Sequence, residues 1–76
     1  MKLPKTPYQP KVVYHIQFQV KEFPKQPIMI YGLTVDSAVK IAQIVKNLPN
    51  FLDGLIVASW RKSPRGRWMR KSELIS

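Results

Sequence analysis

From Val12 to Lys21 the chain alternates without a break. Val12, Tyr14, Ile16, Phe18 and Val20 fall on one side, and Val13, His15, Gln17, Gln19 and Lys21 on the other. A period of two marks a half-buried β-strand. Phe23-Pro24-Lys25-Gln26-Pro27 interrupts the pattern, because proline has no N–H to give to a ladder, and Ile28 to Leu33 forms a second run of β-forming residues ended near Gly32. Two adjacent runs predict a hairpin.

The period then lengthens. Val35, Ala38, Val39, Ile41, Ala42, Val45 and Leu48 recur at helical spacing, while Lys40, Gln43, Lys46 and Asn47 take the opposite side. Thr34 is placed to cap the first turn, Asp36 adds a negative charge where the helix dipole favours one, and Pro49 stops the helix. After a turn over Asn50 to Gly54, Leu55 to Trp60 reads as a third strand and Arg67 to Lys71 as a fourth. Ser63-Pro64-Arg65-Gly66 between them carries proline at the second turn position and glycine at the fourth, as a type I turn prefers.

The predicted fold is therefore α+β, in the order β-β-α-β-β. If the helix carries the chain back along the sheet through a right-handed crossover, the third strand pairs with the first. The result is an antiparallel sheet of strand order 2-1-3-4 with the helix packed on one face. An antiparallel sheet tolerates a wet second face, and that face is where function is expected.

The organisation is that of a single small globular domain over residues 12–76, preceded by an extended basic arm over residues 1–11. Pro4, Pro7 and Pro10 recur every three residues in the arm, with Lys2, Lys5 and Lys11 around them, a spacing suited to polyproline geometry. The 76 residues allow one modest core and no second domain. The chain has no cysteine, which leaves neither a disulfide nor a thiolate metal site and points to the cytoplasm. No apolar run approaches the roughly 20 residues of a membrane span, and none resembles a secretory signal.

Charge changes the picture most. Thirteen Lys and Arg against four Asp and Glu give a net charge of +9, and the basic residues gather in Trp60-Arg61-Lys62-Ser63-Pro64-Arg65-Gly66-Arg67-Trp68-Met69-Arg70-Lys71, a stretch with two tryptophans and no acid. A surface built for solubility alone mixes both signs. Arginine offers a flat, permanently charged fork for phosphates and guanine edges, and tryptophan offers a face on which a base stacks. These residues predict a nucleic-acid-binding protein, with DNA or RNA as partner. Arg61, Lys62, Arg65, Arg67, Trp68, Arg70 and Lys71 form its hairpin surface, and His15 and Gln17 of the first strand add to it. Pairing Lys62 with Arg67 sets Trp60 opposite Met69 on the core face and Arg61 opposite Trp68 on the open face; a bulge at Gly66 would exchange these roles.

Pro64-Arg65-Gly66-Arg67 resembles the core of the AT-hook, a short motif that lies extended in the minor groove of A·T-rich DNA. The resemblance covers four residues, and Trp68 stands where that motif has its second proline. What it implies is a basic turn tip near a groove.

The alternative is a protein-binding modulator or small basic subunit docked on an acidic protein, because Trp and Arg also dominate protein hot spots. Attachment to a membrane surface ranks below both, since the only amphipathic helix is needed for the core. The chain holds one histidine and scattered acids, Glu22, Asp36, Asp53 and Glu73, which predicts no catalytic group, metal or cofactor.

Overall fold

The computed structural model, which describes residues 3–4, 12–61 and 63–75, has the predicted order of elements. Strands β1 (Val13–Val20) and β2 (Phe23–Leu33) precede helix α1 (Val35–Lys46), which is followed by β3 (Phe51–Trp60) and β4 (Met69–Leu74). The four strands form one sheet in the order β2-β1-β3-β4, with each neighbouring pair antiparallel. This is the α+β arrangement expected from the pattern.

The alternation in β1 is the organising feature. Tyr14, Ile16, Phe18 and Val20 are all buried, and the residues between them are half-buried. Ile16 pairs with Ile56 of β3, and both are fully buried at the centre of the core. Helix α1 lays Ala38, Ala42 and Val45 over them. The two alanines let the helix approach closely, and Tyr14, Phe18 and Trp60 fill the surrounding space.

Helix α1 begins where its first turn is satisfied. Thr34 has an extended backbone, and its Oγ1 accepts from the Ser37 amide at 3.2 Å. At the other end the Asn47 side chain donates to the Gln43 carbonyl at 2.9 Å, which serves one of the free acceptors of the last turn. Lys46 in that turn complements the dipole, and Pro49 prevents continuation.

Three boundaries differ from expectation. Strand β2 begins at Phe23, directly after a Lys21–Glu22 turn, so Pro24 to Pro27 form an irregular bulge within the strand and not a loop before it. The Gln19 side chain holds this bulge by donating to the Pro24 carbonyl at 2.8 Å. Prolines fit here because β2 is an edge strand, where a missing N–H can face outward. Strand β3 begins at Phe51 and not at Leu55, because β1 is long enough to pair with Phe51, Asp53 and Gly54. Strand β4 runs over Met69–Leu74, later than the predicted Arg67 to Lys71.

The register of the last hairpin is nevertheless the predicted one. Trp60 pairs with Met69, Ser59 with Arg70 and Ala58 with Lys71. The Gly66 amide donates to the Ser63 carbonyl at 2.9 Å and closes a four-residue turn, so Pro64-Arg65-Gly66 is bent and not extended. Beyond β4, Ile75 is buried, and its amide donates to the Gly54 carbonyl at 2.9 Å. Space opposite it is tight: a Cβ on residue 54 would sit 3.0 Å from Ile75 Cδ1 and 3.1 Å from both the Gln17 carbonyl oxygen and Phe18 Cβ.

Of the predicted arm, only Leu3 and Pro4 are among the described residues. Leu3 packs against the core and Pro4 is buried.

Candidate functional site

Opposite residues of an antiparallel pair project to the same side, so the register assigns each side chain a face. Helix α1 packs on β1, β3 and β2. The other side of the sheet carries His15 and Gln17 from β1, Val57 and Ser59 from β3, Arg70, Ser72 and Leu74 from β4, and Met29 from β2, which pairs with Gln17. Among the described residues, no helix lies over this face.

Tyr31 reaches the same face through a bulge. Tyr14 pairs with Leu33 and Ile16 with Ile30, so His15 on β1 is opposed by both Tyr31 and Gly32. Gly32 absorbs the extra residue at a φ of 72°, a left-handed conformation that L side chains resist. The Tyr31 ring then lies 5.2 Å from the His15 ring, centroid to centroid, at a tilt of 35°. Its hydroxyl donates to Met29 Sδ at 3.3 Å.

A cation–π pair stands on the opposite edge. Trp68 lies just before β4 and is 51% exposed, and the Arg61 guanidinium sits over its ring, 5.0 Å from the centroid. Cation–π contacts of this kind contribute about 0.5–1 kcal/mol at exposed sites. Between the two pairs runs an open groove of about 270 Å³, lined by Tyr31, His15, Val13, Ser59, Arg70 and Trp68. Strand order sets Tyr31 and Trp68 on its two flanks, with β1 and β3 as its floor.

The electrostatics of the groove follow from Arg70. Partial burial, and then the Arg70 guanidinium, hold the His15 imidazole below its ordinary pKa, while a hydrogen bond with Gln17 opposes them. His15 is therefore a neutral ring at physiological pH, and the positive charge of the groove belongs to arginine. Among the described residues, no Asp or Glu lines it.

The predicted site residues divide. Arg61, Trp68, Arg70 and His15 come together around the groove, and Arg65 and Arg67 are exposed at and beside the hairpin tip. Gln17 lies farther along the face, in a second depression that it shares with Gln19, Asp53, Leu55 and Leu74, and meets the aromatic site at its border, through a hydrogen bond with His15 and through its strand partner Met29. Lys71 pairs with Ala58, a core residue, and so projects to the helix side, away from the groove. Lys62 lies outside the described residues.

The two tryptophans separate as the register requires. Trp60 is 6% exposed and belongs to the core, whereas Trp68 is open. Met69 departs from expectation: it shares the face of Trp60 but is 46% exposed, because the helix covers the first three strands of the sheet and does not extend over β4. Tyr31 joins the site although it lies far from the basic hairpin in sequence. The signal that could have found it is the alternation of Ile28 and Ile30 with Met29 and Tyr31, which sets the last two on the open face.

Among the described residues, no cluster of three His, Asp or Glu is placed to hold a metal ion, and no helix is long and apolar enough to cross a membrane. Comparison with known protein families, with curated proteins and with solved structures finds no match.

Proposed function

We propose that this protein binds nucleic acid, without catalysis, on the open face of its sheet and along the β3–β4 hairpin. The observation that carries the reading is the convergence of an aromatic pair, His15 with Tyr31, and a cation–π pair, Arg61 with Trp68, on one groove that no Asp or Glu lines among the described residues, beside Arg70. Ring faces suit bases and sugars, and exposed guanidinium groups suit phosphates. Arg65 and Arg67 at the tip extend the cationic surface toward the backbone of the ligand. The net charge of +9 supplies the long-range attraction, through release of condensed counterions from the nucleic acid.

A second reading, docking on an acidic protein, is favoured by one observation. Strand β4 is an edge strand and offers unpaired backbone groups to which a partner strand can add.

Fluorescence anisotropy with labelled random duplex DNA, single-stranded DNA and RNA hairpins, at two salt concentrations and with tryptophan emission read in parallel, tests the proposal. Binding that is micromolar or tighter, falls steeply with salt and quenches tryptophan is the expected result. Absence of binding at low salt overturns it and directs attention to an acidic protein.

A further inference from the structure

Nucleic acid offers two kinds of surface to a protein. A duplex presents base edges and phosphates, because the faces of its bases are covered by their neighbours in the stack. A single strand also presents the faces of unpaired bases, which stack on aromatic side chains and on guanidinium planes. Which surface a site fits is read from whether its aromatic rings are displayed.

Here the rings are displayed. Tyr31 is 65% exposed although it sits at the end of a paired strand, and Trp68 is exposed on the far flank of the same groove. Arg61 lies over the Trp68 ring, 5.0 Å from its centroid, and holds the ring at the flank of the groove that Trp68 lines. His15 partners Tyr31 in the same way, as a neutral ring beside it. The space around Gly32, at the Tyr31 end, is open: a Cβ built there would meet nothing within 4 Å. Charge lies to one side: Arg70 lines the groove, and Arg65 and Arg67 lie beyond Trp68 toward the turn. The opposite end of the sheet face carries Asp53 beside Gln17 and Gln19, which a phosphate would avoid. The open face is thus polarised, with base-stacking rings and arginines at one end only.

Resting on the nucleic-acid reading above, we infer that the groove between Tyr31 and Trp68 is a binding site for unpaired bases of a single strand. One base stacks against the His15–Tyr31 pair and another against the Trp68 ring that Arg61 holds, while the phosphates pass Arg70 toward the hairpin tip. The selectivity is for single-stranded over double-stranded nucleic acid.

The test is a titration of the full chain with a short mixed-sequence oligonucleotide, as DNA and as RNA, each both single-stranded and annealed to its complement. The wild type, Tyr31→Ala, Tyr31→Phe, Trp68→Ala and Trp68→Phe are compared, each checked for fold by circular dichroism. The expected result is at least tenfold tighter binding of single strands, a loss of roughly tenfold or more for each alanine variant on single strands alone, and recovery in the phenylalanine variants. Preference between the DNA and RNA strands names the natural source. Equal or tighter duplex binding, with the alanine variants unaffected, overturns this inference and leaves the nucleic-acid reading standing. Failure of every oligonucleotide to bind overturns both.

Discussion

The Arg61 guanidinium lies 5.0 Å from the centroid of the Trp68 ring and joins the two arms of the hairpin just past the last paired residues, Trp60 and Met69. The contact holds an exposed ring in a fixed place without burying it. Loss of the Arg61 side chain is expected to leave the fold intact and reduce ring order. The Arg61→Ala variant should show a red-shifted, more mobile Trp68 emission in a Trp60→Phe background, with a stability change of about 0.5–1 kcal/mol.

The two tryptophans should separate cleanly in denaturation. Trp60 is buried against the helix, so Trp60→Ala is expected to cost roughly 3–5 kcal/mol. Trp68→Ala leaves the core untouched and should change stability by about 0.5 kcal/mol or less beyond the cation–π contribution, while costing roughly 1–3 kcal/mol in nucleic-acid affinity. Urea unfolding of each variant, beside a binding titration, measures both.

Replacement of Arg65 and Arg67 by alanine is expected to weaken binding to all sequences alike. The slope of log affinity against log salt should fall by about 0.7–0.9 for each phosphate that is no longer neutralised. A variant with weakened affinity for one sequence only would assign these arginines to base recognition.

His15 gives a pH signature. Burial and Arg70 lower its pKa, so between that lowered value and its ordinary value of 6.5 the unfolded chain binds more protons than the folded chain. Stability therefore falls as the pH drops through this window. In Arg70→Ala the imidazole pKa should rise but stay below 6.5, because burial, the larger cause, remains. The chain has one histidine, so a proton NMR titration follows a single ring.

Gly54 and Gly32 should fail in different ways when replaced by alanine. At Gly54 the new methyl group meets the Ile75 side chain and the β1 backbone, a packing conflict of about 1–3 kcal/mol that Ile75→Val relieves in part. At Gly32 space is open and the cost is the left-handed backbone alone, roughly 1–2 kcal/mol, with no rescue by any neighbour. Chemical denaturation of the single and double variants distinguishes them.

The sheet is legible in the sequence because its signals are local and concordant. Alternation in β1, helical spacing over α1, the Thr34 cap and the Ser63 to Gly66 turn each point to one structure. The register of the last hairpin follows from the turn alone, and with it the separate fates of Trp60 and Trp68. What is not legible depends on distant partners. The start of β3 at Phe51 is set by the length of β1, and the exposure of Met69 by where the helix ends its cover. The role of Tyr31 needs the bulge at Gly32, which brings an edge-strand ring beside His15. Gln17 and Lys71 suit the site by residue type, and the register moves them away from the groove.

Helix α1 leaves the last strand uncovered, and after Trp60 the described chain returns to the core at Ile75. Between them the described side chains from Ser63 to Ser72 lie outside the core, while the backbone of Met69 to Ser72 still extends the sheet by pairing with β3. Such a division separates the side chains that hold the fold from those that meet solvent, so single substitutions on the outer arm are expected to change stability by no more than about 0.5 kcal/mol.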